Sequence, residues 1–382
     1  MIYLDNAATS YPKPQRVINA VKNSFINYGA NPGRSGHKLS VKTAVEVYET
    51  REILSEFFDG YGGEFTSFTS NCTEALNIAI KGVLKEGDHV VISSFEHNSV
   101  VRPLHFLKEK GLISYSIFEV KDNKNETLES FKNTLKNNTK LAVVTAVSNV
   151  FGKILPLEEL GKIAKNKGVL FFVDGAQGAG ILPISMKKMG IDCLCVPGHK
   201  GLLGPMGTGA ILHNGMDILP LIQGGTGSRS FDLLQPSEYP DRLESGTLNV
   251  PGICGLKEGI KFVKSMGVDR IFLEESLICN EIFNGLKAIK KVSLYEENRI
   301  KNDYAPVLSF NISGMHSERV SALLDKQGVA VRGGFHCSPL AHNFMGTKET
   351  GSVRISPSFR TDKKDINILL NLIRKIAIND FI

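Results

Sequence analysis

Lys200 ends the apolar run Ile191-Asp-Cys-Leu-Cys-Val-Pro-Gly-His-Lys200 and opens the glycine-rich turn from Gly201 to Gly209, an arrangement that presents a buried amine to a carbonyl compound. A second apolar run, Val169-Leu-Phe-Phe-Val-Asp174, also stops at an ionisable group before entering Gly-Ala-Gln177. An amine and a carboxylate at the carboxyl ends of two buried strands meet the needs of a ring aldehyde: the lysine forms a Schiff base, and the aspartate keeps a ring nitrogen protonated so that the ring withdraws electrons. Pyridoxal 5'-phosphate is the cofactor with those needs. Each residue alone has a plainer reading, the lysine as a solvated loop cation and the aspartate as a helix cap or turn residue.

Further polar clusters follow other apolar runs. Asn71, Cys72 and Thr73 stand between Thr69 and a helical pattern, where a phosphate would find backbone donors, although a plain helix cap reads the same way. His199 could add a donor to that phosphate. His97, after His89-Val-Val-Ile-Ser-Ser, could stack on the ring and exchange protons near neutral pH, or be a satisfied surface histidine. Asn149 and Gln177 place amides where a ring hydroxyl could be bound. Cys337, in Arg332-Gly-Gly-Phe-His-Cys-Ser-Pro, has a cation and an imidazole close in sequence, surroundings that favour a thiolate. Arg354 offers a planar fork to a substrate carboxylate, against the alternative of a surface ion pair. Cys193 and Cys195 point to one face of a strand, and core packing is preferred for them over a metal site, so no metal is expected.

Positioning these groups requires a sheet. Between residues 64 and 213, seven short apolar runs alternate with helical patterns, which predicts an α/β fold with a mainly parallel sheet and ligands at the carboxyl ends of its strands. Val41, Val45 and Tyr48 recur at helical spacing and predict a helix over residues 39–58. The Gly-, Ser- and Pro-rich connector from 224 to 251 is long enough to be functional. After it, strands around Val307 and Val329 and a final helix with Ile366, Leu369, Leu370, Ile373 and Ile376 on one face predict a smaller α+β domain. The boundaries expected are an N-terminal arm (1–15) packing with the small domain, a large cofactor domain (16–250) and the small domain carrying the cysteine loop (251–382).

The 45 basic and 39 acidic residues are dispersed, without the block expected of a nucleic-acid arm. The start of the chain lacks the pattern of a signal peptide, and no stretch reaches the length of a membrane span. Six cysteines without regular spacing suit a reducing compartment, so a cytoplasmic protein is expected, with no nucleic-acid or membrane partner.

With these residues in hand, the chain resembles the class V aminotransferase family of pyridoxal-phosphate enzymes and, within it, the cysteine desulfurases. The likeness runs nearly end to end, through Tyr3-Leu-Asp-Asn-Ala-Ala-Thr, Thr73-Glu-Ala-Leu-Asn, Glu96-His, Val147-Ser-Asn-Val-Phe-Gly, Val173-Asp-Gly-Ala-Gln, Gly198-His-Lys, Glu244-Ser-Gly-Thr-Leu-Asn and Arg332 to Cys337. The resemblance implies a fold-type-I homodimer with shared active sites, Lys200 bonded to the cofactor, Asp174 on its nitrogen, Gln177 and Asn149 on its ring oxygen and His97 on its face. It places the phosphate on Thr73, His199 and the partner subunit's Thr247. It assigns Arg354, Asn149 and Arg332 to the substrate and Cys337 to the sulfur.

Only 16 residues (338–353) separate Cys337 from Arg354, a loop length similar to that of the desulfurases related to the Suf system. Pro197 stands where a phosphate-binding serine is usual, and Asn71-Cys72 replaces a Gly-Thr-like pair. The expected reaction converts L-cysteine to L-alanine through a persulfide on Cys337, destined for an acceptor protein. Selenocysteine lyase, cysteine sulfinate desulfinase, another class V activity and a noncatalytic cofactor-binding protein are the alternatives.

Overall fold

The computed structural model describes residues 1–33, 36–296 and 303–378. Its strands are β1 (Ile2–Tyr3), β2 (Thr66–Thr69), β3 (His89–Ser93), β4 (Ser114–Phe118), β5 (Thr139–Thr145), β6 (Leu170–Asp174), β7 (Cys193–Pro197), β8 (Gly209–His213), β9 (Val292–Leu294), β10 (Leu308–Ile312), β11 (Val329–Ala330), β12 (Arg332–Gly334) and β13 (Ser352–Ile355). Seven of them form one sheet in the order β2-β8-β7-β6-β5-β3-β4, with β3 to β7 parallel and β8 antiparallel to both its neighbours. The seven apolar runs read from the sequence are these seven strands.

Their near-continuous apolar character follows from burial on both faces. Along β5 and β6, Ala142, Val144, Phe171 and Val173 enter the core on one side of the sheet, while Leu141, Val143 and Phe172 enter the core on the other, the period-2 alternation of a pleated strand. Cys193 and Cys195 lie in that second core, as packing requires. Helices cover both faces, so strand carboxyl ends open onto one common edge.

A second, antiparallel sheet, β12-β13-β10-β9, has its own core. The closing helix Lys363–Ala377 buries Ile366, Leu369, Leu370, Ile373 and Ile376 there. Leu4 enters the same core, and β1 pairs in parallel with β11. Among the described residues, no helix is long and apolar enough to cross a membrane.

The helix Lys38–Phe57 forms where the spacing placed it, yet the residues that gave the period face outward: Val41, Val45 and Tyr48 are 52%, 49% and 58% exposed. Its inner face is small and polar. Thr43 and Thr50 return their hydroxyls to the Leu39 and Glu46 carbonyls of their own helix, and the buried Lys257 ammonium bridges Glu46 and Glu49, so this face packs closely without orphaned groups.

The same helix anchors the long connector. Nη1 and Nη2 of buried Arg51 donate to the two Glu244 carboxylate oxygens at 2.6 Å, and Glu244 also accepts the Phe68 N–H of β2. Glu244→Ala would leave the buried Arg51 without its counter-charge, with only the Thr66 carbonyl as acceptor, and the Phe68 N–H without an acceptor. An expected loss of about 3–5 kcal/mol is checked by the urea unfolding midpoint at unchanged m-value.

Candidate active site

Where β6 ends, Asp174 is 1% exposed and its Oδ1 accepts the Ala176 N–H at 2.9 Å. Burial pushes its carboxyl pKa up, and the Ala176 N–H and the Lys200 ammonium pull it back. Where β7 ends, Gly198 lets the chain pass β8: a Cβ there would stand 2.1 Å from Thr208 Oγ1. Lys200 follows two residues later, and burial lowers its amine pKa, opposed by Asp174 and reinforced by Arg354. The amine therefore sheds its proton more readily than a solvated lysine, the form a nucleophile needs.

Next to β8 a helix begins at Cys72. Asn71 caps it by accepting the Glu74 N–H at 2.9 Å, which leaves the earliest N–H groups of the first turn directed at an anion. The Cys72 side chain does not join them. Its thiol is turned inward, 3.6 Å from Asp174 Oδ1, and burial pushes its pKa well up, so Cys72 contributes backbone rather than thiolate.

Lys200, Asp174, Gln177, Asn149, His97, Cys72, Thr73 and His199 all line one cavity. Eight candidates drawn from five separate strand ends thus converge. At His97, burial, then the Lys200, Arg332, Arg102 and Arg354 charges, lower the pKa to about 4. Its Nδ1 accepts the Ser99 N–H, as in the neutral Nε2–H tautomer. His199 is likewise lowered to about 4, by burial and then by the Lys200 and Lys13 charges. An anion in the cavity would oppose the charge effects in both cases.

Thr247 lies outside this cavity, exposed, 3.4 Å from Asn31 Nδ2 and on a separate pocket with Thr69 and Ser70. Arg354 adjoins the cavity wall. It is 1% exposed, with Nη1 donating to the Asn149 carbonyl (2.9 Å) and Nη2 to Asp5 (2.7 Å), while Nε has no hydrogen-bond partner. A surface ion pair is thereby excluded. Arg332 stands opposite it in the β12–β13 register, and its side chain makes no hydrogen bond or ion pair among the described residues. Two facing cations favour an anion between them.

Cys337 is the exposed one among six free cysteines. The loop that carries it is fixed to the cavity wall: the Asn149 amide donates to the His336 carbonyl (2.8 Å), Ser338 Oγ donates to Asn149 Oδ1 (2.6 Å), and Asn98, next to His97, donates its N–H to the Cys337 carbonyl (2.8 Å). His336 and Cys337 both adopt positive φ, 50° and 57°, a left-handed conformation costly for residues other than glycine. That turn corrects one expectation. The His336 ring is buried with Nε2 at 3.0 Å from the Ser352 carbonyl, and burial followed by the Arg354 charge lowers its pKa to about 2, so it gives Cys337 no cationic neighbour.

Three groups had no assigned role in the sequence. Asp5 and Ser338 act on residues 349 and 189 positions away, and no local signal marks them. Glu96 carried one, as a charged residue between an apolar run and His97. It is fully buried, accepts the Thr145 N–H (2.8 Å) and the Ser93 hydroxyl (2.5 Å), and burial raises it to about 8, so a protonated carboxyl ties β3 to β5 beneath the cavity.

A parallel sheet with an amine and a carboxylate at adjacent strand ends, beside a helix start, is the architecture of the fold-type-I enzymes. The profile of the Aminotransferase class-V family matches residues 2–369, and the chain belongs to that family, whose members are pyridoxal-phosphate enzymes. It is 33% identical over 388 aligned positions to a protein of Pyrococcus abyssi (strain GE5 / Orsay) named "Probable cysteine desulfurase", covering 99% of this chain and 94% of that one. A protein of Methanothermobacter thermautotrophicus with the same name is 32% identical, covering 98% and 94%. The apo structure of a cysteine desulfurase from Thermococcus onnurineus NA1 superposes with a TM-score of 0.92 at 33% identity, over 99% of this chain and 95% of that one.

Proposed function

We propose that this chain is a pyridoxal 5'-phosphate enzyme that converts L-cysteine to L-alanine and takes the sulfur as a persulfide on Cys337. The observation that carries this reading is an exposed cysteine clamped through Asn149 and Asn98 to the wall of a cavity holding a buried amine and a buried carboxylate. Its test is incubation of the purified protein with L-cysteine, with and without reductant. Equimolar alanine and sulfide support the reading, and their absence from a cofactor-loaded protein rejects it.

The residues fit the cofactor. Asp174, held up by burial, matches a protonated ring nitrogen; Gln177 and Asn149 match a ring oxygen; His97, neutral, matches a ring face; the helix start at Thr73, with His199, matches a phosphate. When bound, the cofactor supplies an electron sink for negative charge at the substrate α-carbon. Lys200 Nζ, its pKa lowered, accepts the α-proton and returns it. Arg354, Arg332 and Asn149 hold the substrate carboxylate, which takes Arg354 from Asp5. Cys337 Sγ, as the thiolate, attacks the substrate sulfur while the substrate Cβ–S bond breaks and its electron pair stays with the carbon skeleton, which takes up protons and leaves as alanine; the exposure of Cys337 leaves the persulfide open to an acceptor. The free thiols fit a reducing, cytoplasmic setting.

Ser338 has no contact with substrate in this scheme, yet its hydroxyl both orients Asn149 and holds the strained turn at Cys337. Ser338→Ala is expected to slow single-turnover sulfur transfer about tenfold, a loss of about 1.4 kcal/mol at the transition state, with little change in KM. Rapid-quench measurement of the persulfide reads this directly. An unchanged rate would mean that the clamp is structural only.

A homodimer accounts for two otherwise unexplained features, the exposed apolar face of Val41, Val45 and Tyr48 and the location of Thr247 outside its own subunit's cavity. Thr247 would complete the partner's phosphate site. Mixing Thr247→Ala with Lys200→Ala subunits should then place both defects in one site and none in the other, restoring part of the activity. No recovery despite demonstrated subunit exchange counts against shared sites.

A further inference from the structure

A second cavity lies on the other side of Lys200 and Gln177, between the N-terminal segment, the helix Val268–Lys287 and the turn at Ser356 to Arg360. Ile181, Leu203, Ile271, Val307 and Phe359 give it apolar walls. Its neutral polar groups are largely spoken for: Asn6 bonds the Ser356 carbonyl and the Tyr11 N–H, Ser10 bonds the His199 and Lys200 carbonyls, and Gln177 Nε2 bonds the Ala7 carbonyl.

Glu275 is the exception. It is 6% exposed, lines this cavity, and uses Oε1 to accept the Phe359 N–H at 3.2 Å. Oε2 has no hydrogen bond and the carboxyl no cation among the described residues, since Arg360, at the rim, donates to the Pro12 carbonyl. Burial raises the Glu275 pKa to about 8, with the Phe359 N–H opposing and Glu274 adding. A largely buried carboxyl with one oxygen unbonded and no cation beside it would gain a partner from a cation that arrives with an apolar body.

We propose that this cavity is a second ligand site, distinct from the one that holds Asp174 and Thr73, and that it takes a small apolar amine in its protonated form, anchored on Glu275. The apolar body fills the space between Ile181 and Phe359, and the ammonium displaces the carboxyl proton. Because Lys200 and Gln177 form the shared wall, an occupant would sit directly behind the reactive amine. The proposal is independent of the desulfurase reading.

The probe is N,N-dimethylbenzylamine, a tertiary amine that cannot condense with an aldehyde, set against benzyl methyl ether, its neutral near-isostere. Calorimetry on the cofactor-loaded protein at pH 7, in two buffers of different protonation enthalpy, should give a Kd on the order of 1 mM for a ligand of this size. Release of close to one proton per amine is expected, because Glu275 starts protonated and ends ionised. The ether should bind at least about tenfold more weakly, and so should the amine to Glu275→Gln. Ile181→Trp, which fills the cavity and leaves the carboxyl in place, should also abolish binding and carries the test if Glu275→Gln fails to fold. Equal affinity of the amine for the parent and Glu275→Gln, binding without proton release, or no saturable binding at ten times the expected Kd would overturn the proposal.

Discussion

Lys200→Ala is expected to lose L-cysteine turnover by at least about 10³-fold, because the substitution removes both the nucleophile and the base from one site. Its folded stability should change little, since burial disfavours the charged amine. Borohydride reduction followed by peptide mapping should label Lys200 in the parent protein and nothing in the variant. The label would sit on an amine that shares its cavity with Asp174 and Gln177. Label on another lysine, or turnover within tenfold of the parent, would remove Lys200 from the account.

Cys337→Ala should separate the two halves of the proposed chemistry. The cofactor cavity does not include Cys337, so colour and the spectral response to L-cysteine should persist. Sulfur release should fall by about 10²-fold or more, because no other cysteine is exposed to replace the nucleophile. Cys72 is the nearest rival by position, but its thiol is buried beside Asp174 with its pKa pushed well up, so it stays protonated. Replacing Cys193 or Cys195 by alanine should lower stability more than turnover, since both side chains fill the core. Near-normal sulfur release by Cys337→Ala would reject the persulfide mechanism while leaving the cofactor site intact.

The strand ends were legible in the sequence because a parallel sheet buried on both faces leaves a local signature, an apolar run that stops at a polar or ionisable residue. Asp174, Lys200, His97, Asn149 and Thr73 each carried it. The orientation of the helix Lys38–Phe57 was not legible, because a helical period shows that one face is apolar and not which way it points. The lowered pKa of His97 was also hidden: it comes first from burial and then from charges that include Arg332 and Arg354, in a distant part of the chain. Sequence neighbours misled at Cys337, where the His336 ring is buried against the Ser352 carbonyl with its pKa lowered by burial and then by the Arg354 charge. Asp5 with Arg354, and Glu244 with Arg51, are pairs 349 and 193 positions apart, so only the folded chain reveals them.

Mass spectrometry of the parent protein after a single turnover with L-cysteine tests the central claim most directly. The mechanism places one added sulfur, removable by reductant, on the peptide containing Cys337, with one equivalent of alanine released. Alanine without that sulfur, or the sulfur on Cys72, Cys193, Cys195, Cys254 or Cys279, would contradict it.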